Sequence, residues 1–393
     1  MHLKKSIQAK SMQLKYKYKD KMRWLWILSV IFPTISIPGI FLHHQTGNGI
    51  FLFYPFVVTY LITPFLDLIV GEYNENHPRE FKEELGQKFF YKLLTFIVVP
   101  IHVVVFFISA FYVGTKTLVW WELILISVAA GLASGLAINT GHELGHKKTK
   151  FERNLAKIVL AIPAYGHFTI EHNRGHHSNV STPEDAASAM MGENIYEFAL
   201  REMPKSFLNA IEIETTRLHR TGKSFWSREN QMFHSFVLTF LIQISLLILF
   251  GIKMIPFLLI HNFFAWWQLT SANYIEHYGL LREQKSDGRY EPCKPHHSWN
   301  SNYILGNLHL FNLQRHSDHH TYPSKRYHML DSYEDLPSLP SGYLGCYLLA
   351  YIPWLWFHVM NKKLIALKHI NHDFSKINIH PEKKDMLVEK YSL

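Results

Sequence analysis

Cysteine is nearly missing from this chain: Cys293 and Cys346 are the only two among 393 residues. Two thiols build no disulfide framework, and no Cys-x-x-Cys pair is present for a structural zinc or an iron–sulfur centre. Electrons, if the chain uses them, must come from another protein. Also missing is a basic stripe with interleaved stacking aromatics. The net charge of +9 is therefore a matter of membrane topology, and nucleic acid is excluded as a partner. No small-x-small cleavage site follows the first apolar run, so that run reads as an uncleaved first span.

Apolar runs and histidine are abundant. Hydrophobic residues make up 48% of the chain, unevenly spread: long apolar runs fill 24–139 and 232–275, and the remainder is polar. Runs of about 20 apolar residues predict six membrane-spanning helices, at about 24–42, 51–70, 90–113, 119–139, 232–251 and 255–273. Lys and Arg crowd alternate connections, which puts both termini in the cytoplasm. The expected fold is an all-α integral membrane protein with six transmembrane helices and a cytosolic, histidine-rich helical cap. The expected divisions are a basic cytosolic arm (1–23), spans one to four (24–140), a cytosolic segment (141–231), spans five and six ending at His277 (232–279), and a cap (280–393). Within the cap, 343–360 reads as an interfacial segment and the charged tail has no assigned function. Gly131 and Gly135 have the spacing of a close helix-packing seam.

Four stretches carry the chemistry. The first is His142-Glu143-Leu144-Gly145-His146. The second is Glu171-His172-Asn173-Arg174-Gly175-His176-His177. The third is Asn273-Tyr274-Ile275-Glu276-His277-Tyr278-Gly279-Leu280. The fourth is Leu313-Gln314-Arg315-His316-Ser317-Asp318-His319-His320. Histidines three or four apart on a helix share a face. All four stretches fall at, or just after, cytoplasmic helix ends. Read alone, the first stretch also fits a zinc protease with Glu143 as general base, but that leaves seven histidines idle. Nine imidazoles are too many for one ion and suit two, and iron, zinc and copper all accept imidazole. Only one Glu-x-x-His motif is present, which disfavours a carboxylate-rich di-iron bundle. A metal transporter would place ionisable groups at mid-membrane, whereas these cluster at one edge. Glu143, Glu171, Glu276, Asp318 and Asp185 are candidates to accept the outer ring N–H of a ligand histidine. His43, His44, His167, His219, His234, His261, His296, His297, His309 and His328 read as structural, His309 being the nearest to a ligand stretch.

These stretches resemble the four motifs of the membrane-bound alkane 1-monooxygenases, within the histidine-box superfamily of fatty-acid desaturases and hydroxylases. The third stretch and the full Leu-Gln-Arg-His-Ser-Asp-His-His are the specific part. Thr321 departs from the family's usual Ala. The resemblance implies two iron ions held by His142, His146, His172, His176, His177, His277, His316, His319 and His320. It implies O2-dependent hydroxylation of a terminal methyl group of an alkane drawn from the lipid bilayer. It implies rubredoxin as electron donor, with rubredoxin reductase upstream, and a place in the bacterial inner membrane. A desaturase, or a hydroxylase of fatty acyl or methyl-aromatic substrates, would use the same scaffold.

Overall fold

The computed structural model describes residues 18–392. Most of the basic arm expected at 1–23 therefore lies outside the described residues. Helices dominate, and no β-strand occurs among the described residues. The chain opens with α1 (Leu25–Thr34) and α2 (Ser36–Thr46), which meet at 44°. Pro33 and Pro38 flank the break and supply no amide donors. Next come α3 (Gly49–Val70), α4 (Phe89–Thr115) and α5 (Trp120–Gly145). In α3 a π-helical turn at Val58–Ile62 loosens the backbone, and the Thr63 hydroxyl donates to the Val58 carbonyl at 2.8 Å. After α6 (Lys150–Ala161) and α7 (Ile195–Arg220) come α8 (Gln231–Phe250) and α9 (Met254–Glu276). The remainder holds α10 (His316–Thr321), α11 (Tyr343–Ala350) and α12 (Pro353–Ile365).

Helices α3, α4, α5 and α8 are each long and apolar enough to cross a bilayer, and the bent α1–α2 pair is long and apolar enough when counted as one span. The protein is a multi-pass membrane protein on these grounds. Helix α9, expected as the sixth span, has 23 residues but falls short in apolarity. The reason is its buried polar face of His261, Asn262, Gln268, Thr270, Ser271 and Asn273. That face is turned into protein; the His261 Nε2 lies 2.7 Å from the Ser134 hydroxyl of α5. Helices α11 and α12 meet at 119°, so 343–360 does not cross as one straight helix.

Helix α5 is the hub, the most buried of the four spans. Its small residues let α9 approach to backbone distance. A Cβ at Gly131 would lie 2.7 Å from the His261 carbonyl oxygen, and one at Gly135 would lie 2.5 Å from Gln268 Cβ. The Gly-x-x-x-Gly spacing is thus the α5–α9 seam. Gly131→Ala is expected to lower stability by about 1–3 kcal/mol through overpacking. Thermal unfolding of the detergent-extracted protein checks this, with Gly86→Ala, which meets open space, as the unaffected control.

Beyond the membrane helices, the core gathers Tyr274, Tyr278, Trp299, Tyr343, Trp356, Met360 and Leu364. The charged tail joins this core through Ile377, Ile379 and Leu387. Ile377 makes an antiparallel bridge to Leu280, and Ile379 a parallel bridge to Met191. Gly279 sits at φ +72°, and a Cβ there would lie 2.2 Å from Leu364. Glycine at this turn lets the third stretch double back under α12.

Candidate metal centre

His142 and His146 stand on the last turn and C-cap of α5. The second stretch is wound unevenly: Phe168–Glu171 is α-helical, His172–His176 is a π-helical turn, and His177–Asn179 is α-helical again. His277 is the C-cap of α9, and the fourth stretch forms α10. The motif's other residues fix these elements. The Arg315 guanidinium donates to the Leu330 and Tyr73 carbonyls, both at 2.7 Å. The Gln314 side chain accepts from Tyr343 N at 2.9 Å. The Asn273 amide donates to buried Glu202 at 3.1 Å, and the Tyr278 hydroxyl donates to Asn361 at 2.8 Å.

All nine histidines come together, in two groups. The first holds His142, His146, His172, His177 and His319; the second holds His176, His277, His316 and His320. The groups adjoin: the rings of His177 and His320 are 4.5 Å apart, and those of His176 and His320 are 4.9 Å apart. The division does not follow the stretches. His172 and His177 join one group across the π-turn, whereas His176 joins the other. In α10, His316 and His320 share a group and His319 points to its neighbour.

The donor geometry fits metal ions. The Nε2 atoms converge in pairs, with His142 to His319 at 2.9 Å, His172 to His177 at 3.1 Å, His277 to His316 at 3.1 Å and His316 to His320 at 2.9 Å. Nitrogens bound at about 2.1 Å to one ion, at right angles to each other, are about 3 Å apart. His277 Nδ1 donates to the His297 carbonyl at 2.9 Å, so in the neutral ring its Nε2 carries a lone pair toward the group. The Nε2 atoms of His146 and His176 are buried without a partner. Burial and mutual repulsion hold the His172, His177, His316, His319 and His320 imidazoles well below their usual range. They are neutral at pH 7, the form that binds metal. For His176 burial opposes charge, but Asp185 and other nearby carboxylates outweigh it and raise the group to about 9.

The carboxylates divide. Asp185 is the one bonded to a ligand ring: it meets His176 Nδ1 at 3.0 Å and is itself held by Ser188 Oγ at 2.6 Å and Ala187 N at 3.1 Å. Glu276 differs from expectation in its aim. Its Oε2 lies 3.4 Å from His316 Nε2, the nitrogen that faces the group, so it stands among the donors. Glu171 is buried with Oε1 unpartnered, and burial and Asp185 push it up to about 8. Glu143 and Asp318, expected to accept a ligand N–H, have other partners. Glu143 pairs with buried Lys147 at 3.0 Å and accepts from Tyr327 N at 3.3 Å. Asp318 accepts from Lys325 at 2.6 Å, from Asp331 N at 2.9 Å and from the Tyr333 hydroxyl. Both tie the 325–333 loop to the site, because the ligand rings beside them turn inward on the helix face. This placement does not suit Glu143 as a protease base.

His309 stacks on Phe32 with ring centroids 3.3 Å apart and lies outside both groups. His296 and His297 form a third cluster with Glu291. There Lys294 already supplies the cation: its ammonium pairs with Glu291 and its amide N–H donates to His297 Nδ1 at 3.0 Å.

A membrane bundle ending in nine clustered imidazoles, seven buried and two half-buried, with no thiolate among them, is the histidine-box type of site, and the fatty acid desaturase family model matches residues 118–350. Relatives called alkane 1-monooxygenase cover nearly the whole chain. That of Pseudomonas putida is 48% identical, over 96% of this chain and 93% of its own length. That of Ectopseudomonas oleovorans is 47% identical, over 95% and 93%. Alkane 1-monooxygenase 1 of Alcanivorax borkumensis is 46% identical, over 96% and 93%. The chain belongs to the fatty acid desaturase family and, within it, to the alkane 1-monooxygenases.

Proposed function

We propose that this enzyme hydroxylates the terminal methyl group of n-alkanes to 1-alkanols, using O2 and electrons from reduced rubredoxin, which rubredoxin reductase recharges. The observation that carries the reading is the division of nine imidazoles into two adjoining groups, in a chain so close to alkane 1-monooxygenases. One iron ion would sit in each group. Bound iron supplies the reactivity that breaks an unactivated C–H bond, one oxygen atom entering the alcohol and the other leaving as water.

The chain's own residues do the rest. His277, anchored by the His297 carbonyl, and His176, anchored by Asp185, hold fixed ring orientations. The neutral imidazoles of His172, His177, His316, His319 and His320 offer lone pairs without first shedding protons, whereas His176, raised to about 9, would release one. An alkane has no polar handle, so shape alone must present its end carbon, and apolar helix walls exclude water while they do so. A site at the end of a bundle receives such a substrate from the bilayer. The Lys/Arg bias of the connections supports a site at the cytoplasmic edge of a bacterial inner membrane, with both termini inside. A basic water-facing surface then suits a small acidic donor.

Membranes carrying the protein, supplied with rubredoxin, its reductase, NADH and an alkane length series, are expected to form 1-alkanols. The purified protein is expected to hold about two irons per chain. Turnover of an acyl substrate with no 1-alkanol, or one zinc per chain with no iron, would overturn the reading.

A further inference from the structure

We propose that the segment 377–387 is a clamp that positions the ligands of the second histidine group, through main-chain bonds to the turn after His277 and to the loop after the second stretch. This rests on the two-group reading of the site.

Three pieces of chain far apart in sequence lie side by side here. Asn378 stands at the middle: its N–H donates to the Gly279 carbonyl at 2.9 Å, and its carbonyl accepts from Met191 N at 2.7 Å. His380 N returns to the Met191 carbonyl at 3.0 Å, and Gly279 N donates to the Ala189 carbonyl at 2.9 Å. The outcome is a small ladder in which the tail pairs with both the 277–280 turn and the 185–193 loop, and these two also bond to each other. Side chains lock it. The Lys383 ammonium donates to the Gly192 carbonyl and to Glu197, both at 2.9 Å. Leu387 lies over Gly192, where a Cβ would come within 2.7 Å of its Cδ1. Gly192 N donates to the Tyr278 hydroxyl at 2.9 Å, which closes the circuit back to the third stretch.

Both ends of this ladder lead to the second group. The 277–280 turn carries His277 itself. The 185–193 loop carries Asp185 and Ser188, the pair that holds His176 Nδ1. No tail contact of this kind reaches His142 or His146, which stand on the rigid end of α5. The ladder's links therefore run to the second group, and reach the first only through the stretch that His172 and His177 share with His176. A main-chain bond network of this sort restricts ring position to the few tenths of an ångström that metal ligation tolerates. The tail residues belong to neither histidine group, so they are positioning residues.

The test uses Asn378→Pro, which deletes the one N–H that reaches Gly279, against Asn378→Ala, which keeps it. In full-length, iron-loaded protein, Asn378→Pro is expected to lower alkanol formation at least about tenfold, the scale of losing a ligand's support. It should perturb one of the two iron environments in the Mössbauer spectrum and speed hydrogen exchange at 277–280 and 189–193. Asn378→Ala is expected to match the wild type in all three. Lys383→Ala, a milder cut at a part-exposed side chain, is expected to give a smaller change of the same pattern, which covers the case in which the proline variant fails to fold. Unchanged exchange at those segments in Asn378→Pro, or equal losses in Asn378→Ala, would sink the clamp. If the wild type itself held no iron, the site reading would fail, while the exchange comparison would still decide whether the clamp exists.

Discussion

His319→Ala is expected to strip most of the iron from the protein and to lower alkanol formation at least about a hundredfold, above the loss typical for an outer-shell group. His319 has an unusual position. It rides on α10 between His316 and His320, yet it turns to the other group, where its Nε2 lies 2.9 Å from that of His142. The six-residue helix thus feeds both groups. Deleting its middle imidazole takes one donor of five from the first group and leaves an empty buried space beside the second. Metal analysis of the purified variant, beside its product yield, checks both halves of the expectation. Wild-type iron content in His319→Ala would exclude His319 as a ligand.

Asp185→Asn is the second large effect, about 10–100-fold in iron retention or rate. The carboxylate accepts the Nδ1 proton of His176, and an amide can present its NH2 there instead and reverse the ring's tautomer. Nothing else bonded to His176 Nδ1 replaces it. Glu143→Gln makes the informative contrast, since Glu143 touches no ligand ring. It leaves the buried Lys147 ammonium without its carboxylate, which costs about 3 kcal/mol or more of stability rather than a specific loss of metal. Iron per chain and unfolding temperature, measured on both variants, separate the two behaviours. Equal iron loss in the two variants would contradict distinct roles for the two carboxylates.

Much of the architecture was legible in the sequence because lipid imposes a simple rule on length and apolarity. The runs at 51–70, 90–113, 119–139 and 232–251 each match one of the apolar helices α3, α4, α5 and α8 to within two residues at the ends, except that α5 runs on past 139 to Gly145. Helix α9 was harder, since its polar residues bond to other protein groups, among them Ser134 of α5, Tyr60 of α3 and Glu202 of α7, rather than to water, a tertiary fact that hydropathy does not record. The nine histidines were legible from spacing, but their division into five and four was not. That division depends on a π-turn at His172–His176, and a spacing rule built on 3.6 residues per turn has no place for it. The supporting carboxylates were the weakest point. Adjacency in sequence favoured Glu143 and Asp318, whereas neighbours along a helix point about a hundred degrees apart. Asp185, nine residues from His176, was reachable from sequence only as one acid among several. The tail was opaque because the bonds that tie it to Gly279 and Met191 are made by main-chain atoms, which every residue type carries alike.

The convergence of His142 and His319 across 177 residues of chain has a further consequence. A single ion gripping both would close a loop of that length, and pre-closing such a loop removes about 5 kcal/mol of chain entropy from the unfolded state. In a protein whose two thiols are a free Cys293 and a free Cys346, the metal would then serve as its cross-link. Iron supply would set how long the folded enzyme survives in the membrane as well as how fast it turns over.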